Sequence, residues 1–310
     1  MPSSPRLVVV GSINMDLVVR CAALPVPGQT ILAMGSSEIP GGKGANQAVA
    51  AARLGAQVEM VGRVGDDSFA ARLRSGLERE GVKTDSVFST PEVASGIAII
   101  GVETGGQNSI MVVPNANAAL APADIDSVAD LIRGADALLL QLEVPLPSVA
   151  RAAAIARDAG VRIFLDPAPA PPAFRDELFQ VDVLCPNQSE AAAILGIQIQ
   201  SIDDAKRAAS EMVARGVQNA VVTLGQDGAV LCNRSGCEWI AAFPVEAIDT
   251  TAAGDAFAAA LAVYWCETHC ISTAIRYASA AGAVAASRPG AQPSMPSRPD
   301  LELIIQRDTR

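Results

Sequence analysis

The stretch ALLLQLEVPLPSVARAAAIARDAGVRIFL, residues 137–165, decides the fold. Residues 137–140 are uniformly apolar and too few for a helix, so they read as a buried strand. Residues 148–158 form an alanine-rich helical run, and residues 161–165 return to a mostly apolar strand rich in β-branched and aromatic side chains. A strand–helix–strand unit with near-continuous apolar strands implies parallel pairing and a sheet covered on both faces.

The same alternation extends in both directions. Strands are expected at 8–10, 58–61, 181–184 and 220–224, and helices at 45–54, 68–80, 189–195 and 205–215. Two further helices, 254–265 and 271–286, fill the C-terminal third. The whole of 1–310 therefore reads as one α/β domain around a mostly parallel central sheet. Two regions break the pattern. Residues 13–20 with 30–38, and 95–102 with 108–113, look like antiparallel strands. Their turns are rich in glycine, proline and asparagine: Pro25-Val26-Pro27-Gly28 and Gly105-Gly106-Gln107-Asn108. They predict a small antiparallel β lid, discontinuous in sequence, from about 12–40 and 94–113. The proline-rich piece at 167–172 reads as a rigid loop after a strand end.

Half of the 310 residues are apolar, which excludes global disorder. No apolar stretch reaches the ~20 residues of a membrane span. The opening MPSSPR runs straight into LVVV without a secretory pattern, so a cytoplasmic protein with no membrane partner is expected. A net charge of -10 argues against a nucleic-acid partner. The six cysteines have no framework spacing, and reduced thiols are expected. The single histidine, His269, leaves acid–base chemistry to a carboxylate or a lysine.

Open α/β sheets bind ligands beyond the carboxyl ends of their strands. Four segments there carry chemistry. In DTTAAGD, 249–255, the small residues Ala252, Ala253 and Gly254 allow close backbone approach at a helix N-terminus, which suits phosphate oxygens. Asp255, on the first turn, could take a proton from an attacking hydroxyl; its plain alternative is a helix-start carboxylate. In GGKGAN, 41–46, paired glycines precede a helix, with Lys43 and Asn46 offering polar groups for hydroxyls. This is not a Walker A loop, because Gly44 follows the lysine. Asn14-Met15-Asp16 follows the first strand, and its carboxylate could accept from two neighbouring sugar hydroxyls. Asn187 and Glu190, three apart at a helix start, have the spacing of a capping box, and could also organise phosphates and Mg²⁺ water.

Together these segments, with Gly11-Ser12-Ile13-Asn14-Met15-Asp16, GGKGANQAVA at 41–50 and Gly290-Ala291-Gln292-Pro293-Ser294, resemble the PfkB carbohydrate kinase superfamily and, within it, the ribokinases. The resemblance covers essentially the whole chain. It implies a ribokinase-like three-layer sandwich with the β lid, and ATP-dependent phosphorylation of D-ribose at its 5-hydroxyl. Asp255 would be the base, with Ala252, Ala253 and Gly254 as anion hole. Asn14, Asp16, Gly42, Lys43, Asn46 and Glu143 would hold the sugar. Asn187, Glu190, Thr223, Gly225, Gly228, Gly254 and Ser279 would face ATP and its Mg²⁺. An activating K⁺ would take oxygens from Asp249, Thr251, Ala285, Arg288, Gly290 and Ser294. A homodimer through the lid is also implied. Ser279 departs from the family, standing where a larger polar residue often packs near the base. Ala256 departs too, following Asp255 where threonine is frequent.

The residues themselves narrow the substrate. Residues 12–47 hold no aromatic side chain to stack on a nucleobase, which disfavours a nucleoside. They hold only Arg20 and Lys43 as cations, too few to clamp a phosphorylated sugar. Deoxyribose, fructose and, less favoured, a nucleoside remain alternative substrates, and a sugar-binding sensor is the non-enzyme alternative. No G-x-G-x-x-G follows the first strand, against a nicotinamide enzyme. Cys266, His269 and Cys270 have helical spacing for zinc but no evident fourth ligand, so buried thiols beside an ordinary histidine are expected. Cys232 and Cys237 should flank a hairpin turn.

Overall fold

In the computed structural model the described residues are 4–105 and 107–308. Gly106, part of one expected lid turn, lies outside them, as do Met1 to Ser3 of the opening segment. In chain order the strands are β1 (Arg6–Val10), β2 (Asn14–Cys21), β3 (Gly35–Gly41), β4 (Gln57–Val64), β5 (Val82–Lys83), β6 (Val87–Ser89), β7 (Gly96–Glu103), β8 (Asn108–Val113), β9 (Ala137–Leu140), β10 (Arg162–Leu165), β11 (Val183–Leu184), β12 (Asn219–Thr223), β13 (Ala229–Asn233) and β14 (Gly236–Ile240). The helices are α1 (Lys43–Arg53), α2 (Ser68–Arg79), α3 (Pro122–Ser127), α4 (Ala129–Arg133), α5 (Leu146–Asp158), α6 (Gln188–Leu195), α7 (Ile202–Ala214), α8 (Ala253–Thr268), α9 (Ile271–Ala286) and α10 (Arg298–Asp308).

The main sheet runs β14-β13-β12-β11-β10-β9-β1-β4-β5, with β6 also paired to β4. From β12 to β5 it is parallel, and β13 and β14 form an antiparallel edge. Alternate residues of the central strands enter two separate cores. Leu7, Val9, Leu139 and Phe164 join one, packed with α1, α8 and α9. Val8, Val10, Leu138, Leu140 and Leu165 join the other, packed with α5 and α7. That is the period of two expected of strands covered on both faces. The chain order reverses at β1, with β4 on one side and β9 on the other, so the carboxyl ends of β1, β9 and β10 open onto a switch point.

α8 is apolar almost all round, with residues 255–264 buried, as a helix inside a core must be. Its alanines meet those of α9, and Tyr264 stacks on Tyr277 with ring centroids 3.9 Å apart. Short polar side chains start other helices. Asp67 accepts from Ala70 N on α2, and Ser201 accepts from Asp204 N on α7.

The second sheet runs β3-β2-β7-β8. It contains the two expected antiparallel pairs, joined through a parallel pairing of β2 with β7. Its second strand differs from the expected 30–38: residues 30–34 are irregular and β3 continues to Gly41. Pairing Asn14 with Gly41 carries the chain directly into α1, and Pro40 is tolerated because β3 is an edge strand.

The cysteine expectation needs a correction. Cys232 and Cys237 flank the β13–β14 hairpin as read, but they are joined as a disulfide. They are direct cross-strand partners with Cα atoms 4.1 Å apart, which brings their side chains together. Cys21, Cys185, Cys266 and Cys270 are free, but Cys266 is only half-buried and Cys270 is exposed, so these two are not the buried thiols expected. The Arg162 guanidinium faces both Cys266 Sγ and His269 Nδ1, where it would repel a metal cation. Among the described residues no helix is long and apolar enough to cross a membrane.

Candidate active site

The switch point gathers polar side chains from six parts of the chain. β1 is followed by Gly11 and Ser12, and the start of α1 crosses them so closely that Ala45 N donates to the Ser12 carbonyl at 2.9 Å. This sets Lys43, Asn46 and Gln47 over the sheet's carboxyl edge. From the other side comes the N-terminus of α8, carrying Asp255, which is 2 % exposed. Asn46 Nδ2 donates to Asp255 Oδ2 at 2.9 Å, and Gln47 Nε2 to Asp255 Oδ1 at 3.3 Å. Lys43 Nζ stands 4.0 Å from Asp255 Oδ1 and 3.9 Å from Asp166 Oδ2.

The sugar candidates form a second wall. Asn14 and Asp16 lie on β2, both buried. Asn117 Nδ2 donates to Asn14 Oδ1 at 2.7 Å and, with its own oxygen, accepts from Ile13 N at 3.0 Å, which fixes the Asn14 amide. The Asp16 carboxylate packs on Gly41, where any Cβ would come within 2.1 Å of Oδ2. Glu143 accepts from Ser12 Oγ and from Lys43 N, the latter at 3.2 Å.

Electrostatics follow from this crowding. Burial, followed by the charges of Glu143 and Asp255, pushes Asp16 up to about 7. Asp166 is pushed up by its burial, opposed by Lys43 and reinforced by Asp255, Glu190 and Glu143. Burial works against the Lys43 charge, but Asp166, Asp255, Glu143 and Glu190 together outweigh it, so the ammonium is held. A polar cluster in which Lys43 stands among several acids suits an uncharged polyol better than an anion.

Two clefts converge here. One, about 950 Å³, lies between the lid and the DTTAAGD loop and is lined by Asp16, Arg20, Ile39, Asp249, Thr251 and Gly290. The other, about 770 Å³, is lined by Thr223, Gly225, Gly228, Phe243, Gly254 and Ser279. They share Ala247 and Thr250, so they meet just ahead of α8. Ser279 lines the second cleft with its hydroxyl buried and without a hydrogen-bond partner. Asn187 and Glu190 do not line it. They form the capping box of α6, with Asn187 Oδ1 accepting from Glu190 N at 2.9 Å and Glu190 Oε2 from Asn187 N at 2.8 Å, and a backbone bridge ties Asn187 to Thr223.

At the α8 start, Ala252 adopts the left-handed conformation with φ 59°, which costs an alanine about 1–2 kcal/mol and is held by its surroundings. Ala253 N donates to the Thr250 carbonyl at 3.2 Å, so this one of the three expected anion-hole residues spends its amide inside the turn. The Gly254 and Asp255 amides are first-turn donors with no carbonyl of the helix to meet.

Behind that turn, Asp249 accepts from Thr251 N and Gly290 N, each at 2.9 Å. Burial opposes its charge, but these bonds and the Arg20 charge hold it below the usual carboxylate range. The Ala285 carbonyl accepts from Arg288 N at 3.1 Å, and Ser294 is wholly buried. The Arg288 guanidinium pairs with Asp300, which it pulls down to about 2, so any oxygen that Arg288 offered a cation would be its backbone carbonyl. One carboxylate with several carbonyls, each with a spare lone pair, fits a weakly hydrated monovalent cation.

Gln47, Asn117, Gln141 and Asp166 belong to this cluster and were not read from the sequence. Gln141 and Asp166 each stand immediately after a strand, β9 and β10, so the carboxyl-end rule applied there would have found them.

The pfkB family carbohydrate kinase model matches residues 4–298. The chain is 36% identical to ribokinase of Haemophilus influenzae, covering 96% of this chain and 98% of that one. It is also 36% identical to deoxyribokinase of Salmonella typhi, with 94% and 95% covered. The structure of Arabidopsis thaliana ribokinase complexed with ribose and ATP superposes with a TM-score of 0.91 and 33% identity, covering 98% of this chain and 99% of that one.

Proposed function

The chain belongs to the pfkB family of carbohydrate kinases, and from this we propose that it transfers the γ-phosphoryl group of ATP to the 5-hydroxyl of D-ribose. The observation that carries this reading is a buried carboxylate, Asp255, oriented by Asn46 and Gln47 on the first turn of α8, next to Ala253 and Gly254, which line the second cleft.

In this reading the sugar sits under the lid at the Asp16 end of the first cleft, and of the residues that would hold it only Asp16 lines that cleft. Asn14, Asp16, Gly42, Lys43, Asn46 and Glu143 hold it, with the Asp16 carboxylate accepting from two neighbouring hydroxyls. Asp255 accepts the proton of the attacking 5-hydroxyl. The other cleft takes ATP, with Thr223, Gly225, Gly228 and Ser279 along its wall. First-turn amides of α8, chiefly Gly254 beside Ala252 and Ala253, receive charge on the transferring phosphoryl oxygens. Phosphoryl transfer asks mainly for alignment and charge stabilisation, which this arrangement offers without a strong base.

Mg²⁺ would enter with ATP, shielding its phosphates. Asn187 and Glu190 lie outside the cleft lining, and Glu190, whose charge reaches Lys43 and Asp166, would hold the Mg²⁺ water only from behind that wall. K⁺ would be held by Asp249, Thr251, Ala285, Arg288, Gly290 and Ser294, and would stiffen the loop ahead of α8. The exposed edge of the lid supports a homodimer: Ile110, Met111, Val112 and Val113 of β8 are all exposed, and β8 is an outer strand.

Deoxyribose is the second reading, favoured by the equal identity to a deoxyribokinase. Asp16 argues for ribose, because a sugar lacking one of two adjacent hydroxyls leaves a buried carboxylate oxygen unpaired. An ADP-release assay over pentoses and hexoses tests this. Highest kcat/KM with ribose is expected; a preference for deoxyribose, or no sugar-dependent release, overturns it.

A further inference from the structure

Gln47 presents opposite ends of its amide to opposite kinds of partner. Its Nε2 lies 3.3 Å from Asp255 Oδ1 and 3.1 Å from Asp166 Oδ2, while its Oε1 accepts from Gln141 Nε2 at 2.6 Å. Both glutamines are buried, Gln141 wholly. An amide can be turned over with almost no change of shape, so its orientation is set by what it faces. Two carboxylates demand the donor end of Gln47. Its carbonyl end then faces Gln141, which must donate in turn. Turning Gln47 over would aim Oε1 at two acidic oxygens and set two NH₂ groups against each other. The Gln141 oxygen, left without a hydrogen-bond partner, packs over Gly11, where a Cβ would come within 1.9 Å of it.

We infer that Gln47 is a positioning residue for the Asp255 carboxylate, and that Gln141 acts through Gln47 alone, by donating to its Oε1 and so holding the orientation that the acids demand. The inference rests on the reading of Asp255 as the base. Asn46 holds one Asp255 oxygen and Gln47 the other, so two consecutive residues of α1 set the plane of the carboxylate. That plane decides which lone pair meets the sugar hydroxyl. Neither glutamine is needed to bind sugar or nucleotide in this account. Their loss therefore falls on kcat, with KM kept.

The test is a cycle of Gln47→Met, Gln141→Met and the double variant, with Asp255→Asn in the same assay. Gln47→Met is expected to lower kcat about tenfold or more, with both KM values within about twofold. Gln141→Met should lower kcat less, and the double variant should be no worse than Gln47→Met, because one acts through the other. An unchanged kcat in Gln47→Met, or losses that multiply, overturns the inference. Should Gln47→Met fail to fold, Gln141→Met decides alone: reduced kcat at constant KM supports the chain, and unchanged kcat overturns it. Turnover retained in Asp255→Asn would remove the base itself. Turnover lost there but intact in Gln47→Met removes only the role of Gln47.

Discussion

Asn46 Nδ2 donates to Asp255 Oδ2 at 2.9 Å, linking residues 209 positions apart. The bond joins the mouths of α1 and α8, one following the GG turn and the other the DTTAAGD turn. Its consequence is that the proposed base is buried and still oriented before any substrate arrives.

Asp255→Asn keeps the shape of this junction and removes the proton acceptor. Turnover should fall by about 10²–10⁴-fold while ribose and ATP still bind, as measured by calorimetry. Near-normal turnover would end the base assignment.

Asp16, pushed up to about 7 by burial and by Glu143 and Asp255, gives sugar binding a pH dependence. A raised carboxylate loses its charge as pH falls through that value, and the protonated form has one acceptor fewer. KM for ribose should therefore rise by up to about tenfold per pH unit below 7, and level off above it. Lys43, Glu143, Asp166 and Asp255 face the same space, so Asp16→Asn is the control. It should raise KM at every pH and abolish the slope.

Replacing K⁺ with Na⁺ at constant ionic strength should lower kcat severalfold, because the smaller ion cannot span the Asp249 and Ala285 oxygens as well. Asp249→Ala should erase the difference between the two salts. Equal rates in the parent protein would remove the cation site.

Met111→Asp places a charge in the exposed apolar stretch of β8, far from Asp255 in the chain. A fall to monomer mass in light scattering is expected, with the thermal midpoint lowered by only a few degrees. A parent protein that is already monomeric would dispose of the lid interface.

The sheet was legible because its signal is local. Runs such as ALLL at 137–140 need no knowledge of partners, and β9 sits where it was read, although of the strand expected at 181–184 only Val183–Leu184 pairs. The glycine-marked helix starts at Lys43 and Ala253 were equally plain. Gln47 and Gln141 were not, because an amide in a helix and an amide after a strand look like solvated residues until the tertiary packing buries them together. The shifted β3 was hidden for a similar reason. Its register depends on delivering Gly41 to α1, and no propensity within residues 30–38 records that demand. The Cys232–Cys237 bond needed the cross-strand register of a hairpin whose edges alone were visible.

The Lys43 ammonium sits between Asp166 and Asp255, and this has a temporal meaning during synthesis. A ribosome emits the lysine first, one acid later and the other later still. Until α8 docks, Lys43 has only one of its two flanking acids in place. Proteolytic fragments ending before α8 should accordingly be loose around α1 as well as inactive, and the protein should commit to its native form only after α8 has emerged.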